Sequence, residues 1–359
     1  ERAILIDEVL ILMPVLLPMV LSWAAFYEVD RAVRLATPTA GAPSEESPSR
    51  LRYVVLHLRH YLGILLLPVL ALLAAQDAAE LLAPGILATS YGPAVYLVPV
   101  TLLFIGLPSI LRRVWRTRPL APGPLRDRLE AAATRAGMRA REILVWHTDG
   151  RVVNAAVAGC LPRLRYVFLT DGLLARLDEE EIEAVFGHEI GHVRHRHLLL
   201  RVLAMIAPLS LCLLAEQAFP DALHQAEEWL TGGGLGVQVP MGLLSLAGIA
   251  AYALFVFGGY SRLLEAQADL FGCRALDSDS DARGAETFSA ALEKLACGNG
   301  LDRRASTWQH GSIARRVQWL HRVAGDPTRQ RRFQRRVGLL SRVLIAVVLS
   351  PLVYLLLVG

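Results

Sequence analysis

Two histidines four residues apart, with a glutamate directly after the first, form the segment His188-Glu189-Ile190-Gly191-His192. Residues i and i+4 share one face of an α-helix, so both imidazoles can reach one ion at the ~2.0–2.1 Å of a zinc–nitrogen bond. Glu189 lies roughly 100° further around the helix, beside that ion and not a ligand to it. Bound zinc brings the pKa of water to ~7, and a neighbouring carboxylate can take that proton and later hand it to a leaving amine. The chemistry expected is hydrolysis by metal-activated water, with Glu189 as general base and acid. The motif also arises by chance on surface helices, so it needs a third ligand.

Glu265 is the candidate, within Ser261-Arg262-Leu263-Leu264-Glu265-Ala266-Gln267-Ala268-Asp269. Two histidines and one glutamate leave a fourth position for water, which distinguishes a catalytic zinc site from a structural one. Asp269, four residues on and on the same helical face, is placed to orient a ligand imidazole through its other nitrogen. The implied cofactor is one Zn2+ per chain, held by His188, His192 and Glu265.

These residues need helices to position them. Asp178 and Glu181 have the spacing of a capping box, and no proline interrupts the helical spacing from Ile182 to His197. Before them lie a Pro-rich linker, Arg118 to Pro124, a helix over 125–136 and strands over 142–146, 151–158 and 166–169. Asp149-Gly150 between the first two strands predicts a hairpin. Residues 261–336 read as helical, less regular over 302–311.

The surroundings are apolar. Hydrophobic residues make up 54% of the 359 and charged residues only 19%, with a mean hydropathy of +0.41. Six runs, 4–27, 61–82, 91–111, 198–219, 239–260 and 337–358, approach the ~20 apolar residues that span a bilayer as helix. The run 61–82 is the weakest, since Gln76 and Asp77 interrupt it. The first run lacks a basic start and a small-residue cleavage site, so it reads as a membrane helix rather than a signal peptide. Arginines crowd the 28–60 and 112–201 connections, whereas 77–90 and 220–238 carry acids and no Lys or Arg. The positive-inside rule then puts both termini outside and the polar part on the cytoplasmic side. The net charge of +4 comes with no basic stripe interleaved with aromatics, so nucleic acid is not expected as a partner. Cys160, Cys212, Cys273 and Cys297 have neither metal-site nor disulfide-framework spacing.

The stretch Tyr166-Val167-Phe168-Leu169-Thr170-Asp171-Gly172-Leu173-Leu174, the run from His188 to His197 and the Ser261–Asp269 segment resemble the membrane-embedded peptidase family of CAAX prenyl proteases and the bacterial heat-shock protease HtpX. The resemblance covers about 126–320. It implies a mainly α multi-pass membrane protein of about six transmembrane helices, with a gluzincin-like α+β zinc peptidase domain containing a small β-sheet. It also implies an endopeptidase of membrane-associated polypeptides in a bacterial inner membrane, whose partners are a peptide or membrane-protein substrate and the bilayer. By the same resemblance Asn154 and Ala155 hold substrate backbone on an edge strand, with Asn154 donating to the scissile carbonyl. His310 and Arg316 help bind substrate or oxyanion; Gly311 replaces a usual proline there, and Trp308-Gln309 are inserted.

The expected layout has three membrane helices with a cytoplasmic loop at 28–60 (1–111) and a first half-domain with the zinc helix (112–197). A membrane hairpin (198–260), a second half-domain (261–336) and a last membrane helix (337–359) follow. A membrane sensor-transducer and a non-catalytic chaperone or scaffold on the same zinc domain stay open as alternatives. His195 and His197 do not share the metal face, and a supporting or interfacial role is expected of them. Asp277–Asp281 departs from a calcium loop at Ala282 and Phe288 and reads as a turn with a helix cap.

Overall fold

The computed structural model describes residues 6–36, 49–58, 63–89, 92–231, 241–276, 281–306 and 310–358. The 277–280 part of the turn just named, the triple glycine at 232–234 and the inserted Trp308-Gln309 lie outside them. The chain forms two compact units, the first made of Glu1–Arg126 and Arg139–Arg176, the second of Asp127–Met138 and Leu177–Gly359.

In the first unit, α1 (Ile6–Ala36), α2 (Arg50–His57), α3 (Gly63–Leu82) and α4 (Gly92–Val114) precede β1 (Thr117–Pro119), β2 (Glu142–Trp146), β3 (Ala155–Ala158), β4 (Tyr166–Thr170) and the short α6 (Asp171–Arg176). The sheet runs β1-β2-β4-β3. β2 pairs parallel to β4, and both outer pairs are antiparallel. β4 reads Tyr-Val-Phe-Leu-Thr and is buried along its whole length, as a continuous apolar run in a central strand should be. Leu111, Leu144, Tyr166 and Phe168 form one core cluster, beside which Trp115 stacks on Trp146 at 3.9 Å.

The expected hairpin does not form. Asp149 and Gly150 make the turn, at φ 56° and 69°, but β3 pairs with β4 instead of β2. Both edges of β2 are already taken, by β4 and by β1, a strand that the Pro-rich stretch concealed. Proline is tolerated there because β1 is an edge. The turn is tied down elsewhere: Thr148 N donates to Asp171 at 3.0 Å, and Arg176 Nη1 donates to the Gly150 carbonyl at 3.0 Å.

α5 (Pro124–Arg135) contributes mainly to the second unit, with α7 (Glu179–Arg194), α8 (His197–Ala218), α9 (Pro220–Thr231), α10 (Met241–Ala251), α11 (Gly258–Ala275), α12 (Asp281–Gly298), α13 (Ile313–Val323) and α14 (Pro327–Val358). A wide π turn, Tyr252–Phe257, joins α10 to α11. The capping box closes both ways at the start of α7. Buried Glu183 on α7 receives Arg128 at 2.5 Å and Arg135 at 2.8 Å from α5, so its charge is paired where desolvation would otherwise be costly.

Among the described residues, five helices are long and apolar enough to cross a membrane: Leu10–Ala32, Ala94–Val114, His197–Ala218, Ser245–Ala275 and Pro327–Leu357. The described part of the run at 61–82 is also helical, as α3 (Gly63–Leu82), with Gln76, Asp77 and Glu80 inside it. The result is a mainly α multi-pass chain with one small mixed sheet.

Candidate metal centre

α7 and α11 meet closely enough to exclude side chains at the contact. A Cβ on Gly187 would lie 2.4 Å from that of Ala275, and one on Gly272 would lie 2.8 Å from the Ala184 carbonyl oxygen. That approach lets Glu265 on α11 reach both imidazoles on α7. Gly272→Val should therefore cost roughly 1–3 kcal/mol or more of stability through overpacking and lower the zinc bound per chain. Thermal unfolding with metal analysis checks this; unchanged values would show that the contact tolerates wider spacing.

The donor atoms converge. The Nε2 atoms of His188 and His192 stand 3.1 Å apart. Glu265 Oε2 lies 3.7 Å from His188 Nε2, and Oε1 lies 3.6 Å from His192 Nε2. Ligand atoms of a tetrahedral ion with bonds of ~2.0–2.1 Å stand about 3.3 Å apart, close to all three separations. His188, His192 and Glu265 thus form a group able to hold a metal. The donor set, two nitrogens and a carboxylate, suits zinc.

Supporting contacts hold each donor from behind. His188 Nδ1 lies 2.8 Å from Asp269 Oδ1, and Arg316 grips that carboxylate through Nε at 2.9 Å and Nη2 at 2.6 Å. His192 Nδ1 lies 2.8 Å from His197 Nδ1. His197 Nε2 lies 3.0 Å from Gln267 Oε1, and the Gln267 amide donates to Gln334 Oε1. The chain has one consistent polarity when His192 uses Nε2 as a donor to metal. Its Nδ1–H then donates to His197, whose Nε2–H donates to Gln267. Glu265 also receives Arg201 Nη2 at 2.5 Å and lies 3.0 Å from His310 Nδ1.

Burial alone would lower the pKa of His188, but the hydrogen bond and charge of Asp269 outweigh it and raise the pKa above its ordinary value. Burial, then the charge of His188, pushes His192 well below that value. His192 therefore stays neutral, whereas a proton competes with metal at His188. Zinc affinity should fall as pH drops through a midpoint above the ordinary ~6.5 of imidazole, and Asp269→Asn should move that midpoint down. Competition with a zinc indicator at stepped pH reads both; an identical midpoint in the variant would detach Asp269 from the titration.

Of the residues expected in the site, His188, His192, Glu265, Asp269, His310 and Arg316 come together in the second unit. His310 keeps an exposed side chain (51%) while touching Glu265. Arg316, expected to face substrate, engages Asp269. Glu189 is half-buried, and its charge adds to the field at Arg316. Asn154 and Ala155 belong to the first unit, where Ala155 opens the edge strand β3 and exposed Asn154 precedes it. Arg201 and Gln267 were not anticipated. For Arg201 a signal existed, since a charge inside an apolar run marks a functional position.

The model of Peptidase family M48 matches residues 119–324. A protease HtpX homolog of Aeropyrum pernix is 31% identical over 179 residues, which is 48% of this chain and 54% of that protein. A protease HtpX homolog of Thermoplasma acidophilum is 28% identical over 200 residues, 54% of this chain and 58% of that one. The chain thus spans about half the length of the curated relatives it matches. The crystal structure of S. mikatae Ste24p matches 75% of this chain and 64% of that one, at 19% identity and a TM-score of 0.49.

Proposed function

This chain belongs to peptidase family M48, and on that premise we propose that it is an integral-membrane zinc endopeptidase acting on membrane-associated polypeptides. One observation carries the reading: two imidazole nitrogens and a carboxylate converge at ligand spacing inside the matched region. A zinc ion held by His188, His192 and Glu265 would supply Lewis-acid polarisation of the scissile carbonyl and an acidified water.

The chain's own residues would do the rest. Glu189 takes the proton of the attacking water and returns it to the leaving amine. His310, exposed on one side, donates to charge developing on the carbonyl oxygen. Asp269 fixes the ring of His188, and Arg316 acts through Asp269 beyond the substrate role that the resemblance implies for it. Asn154 and Ala155 keep the role of holding substrate backbone, since an extended peptide can add to an edge such as β3. The peptidase half-domains 112–197 and 261–336 and the catalytic residues are assigned to the cytoplasmic side, with both termini outside, on the arginine distribution.

Purified protein should carry one zinc per chain and cleave a casein-type substrate. A chelator should abolish cleavage, and zinc should restore it. Zinc binding without cleavage would favour the sensor or scaffold reading, and no zinc at all would remove the catalytic one.

A further inference from the structure

A cavity of 450 Å³ opens beside the metal centre, lined in part by Arg194, His195, Gln267, Phe271, Arg274 and Gln334, with no acid among the described residues of its wall. Its walls come from the end of α7, the end of α11 and the start of α14. Each of those places adjoins an apolar run long enough to span a bilayer: 198–219 follows His195, 239–260 leads along α11 to Gln267 and Arg274, and 337–358 begins three residues after Gln334. Chain direction puts all three on one side of a bilayer, because the polypeptide leaves through α8, returns through α10 and α11, and leaves again through α14. With those apolar runs in a bilayer, the cavity lies just beyond their ends at Tyr260 and Val337, at the level of the headgroups and on the side that carries the metal centre.

We propose that this cavity binds the phosphate-bearing headgroup of an anionic lipid. Two guanidinium groups from different helices offer the fork geometry that suits phosphate oxygens. Arg274 is braced on α14 by a hydrogen bond to Gln330, and Gln267 and Gln334 add amides to the wall. Phe271 supplies apolar surface for the glycerol and upper acyl region. The approach is electropositive: Arg329, Arg331, Arg332, Arg335 and Arg336 crowd the start of α14, which carries no acid over its full length. Arginines beside a membrane span attract anionic headgroups. A free phosphate shares the headgroup chemistry, but the setting at three span ends favours a lipid. Gln267 also accepts from His197, which backs His192, so the site lies one side chain from the support of a zinc ligand. The proposal requires the membrane spans and does not depend on the peptidase reading.

The test uses the full chain purified in detergent and offered vesicles of phosphatidylcholine alone or with phosphatidylglycerol. Retained lipid is counted by native mass spectrometry, and unfolding temperature is followed in parallel. Wild type should retain about one phosphatidylglycerol and be stabilised by it over phosphatidylcholine. Arg194→Gln with Arg274→Gln should weaken retention roughly thirty-fold. Arg274→Lys, which keeps the charge but loses the fork, should fold normally and retain more lipid than the double variant, so that misfolding is separated from lost recognition. Equal retention by the double variant overturns the proposal. So does an equal loss in Arg331→Gln with Arg335→Gln, which would mean unlocalised surface charge. Equal stabilisation by millimolar inorganic phosphate also overturns it, in favour of a free-anion site.

Discussion

Replacing Glu189 with glutamine is expected to leave one zinc per chain and to lower the rate of peptide cleavage by at least ~10²–10⁴. Three donors converge on the candidate metal position, and Glu189 is not among them. It lies on the same helix, between the two histidines, and is half-buried. Glutamine keeps the length and planarity of the side chain, so α7, its capping box and its contact with α11 should be undisturbed. It cannot accept a proton. The loss should therefore appear in kcat, with substrate affinity and unfolding temperature close to wild type. Turnover of a quenched peptide, metal analysis and thermal unfolding on the same preparation decide it. Cleavage at the wild-type rate would sink the assignment, and loss of zinc would recast Glu189 as part of the metal-holding group.

The parts of this site that were legible in the sequence are those fixed by local helical geometry. His188 and His192, and likewise Glu265 and Asp269, are pairs at i and i+4, and that spacing implies a shared face before any tertiary contact is known. The capping box at Asp178 was legible for the same reason. His197 was harder. Helical spacing continues through it, yet the structure ends α7 at Arg194 and places Arg196 at φ 56°. That break turns His197 back onto His192, and no residue pattern announces a left-handed arginine. Arg201 and Gln267 matter only once α8 and α11 are side by side. The sheet failed for a comparable reason. Asp149-Gly150 is a sound turn signal, but pairing depends on which edges are free, and three residues at Thr117–Pro119 had already occupied one.

Arg316→Met is expected to destabilise the zinc-free protein by ~3 kcal/mol, toward the low end of the range for breaking a buried ion pair. Asp269 is fully buried, and its Oδ1 and Oδ2 are held by the same guanidinium, whose side chain keeps 17% exposure. Burial opposes the charge on Arg316, but the neighbouring Asp269 outweighs that and raises its pKa. The pair therefore exists because each partner compensates the desolvation of the other. Removing only the arginine leaves a carboxylate whose remaining ion partner among the described residues is His188, and should weaken zinc binding by ~10–100-fold, the usual effect of disturbing a ligand's support. The combined Arg316→Met and Asp269→Asn variant should recover part of the stability, because no uncompensated charge stays buried. It should not recover zinc affinity, because the amide holds the His188 ring less firmly. Denaturant unfolding and zinc competition on the two single variants and the double separate these outcomes. Additive losses in the double variant would show that Arg316 and Asp269 act independently, and that the ion pair is not what fixes the zinc ligand.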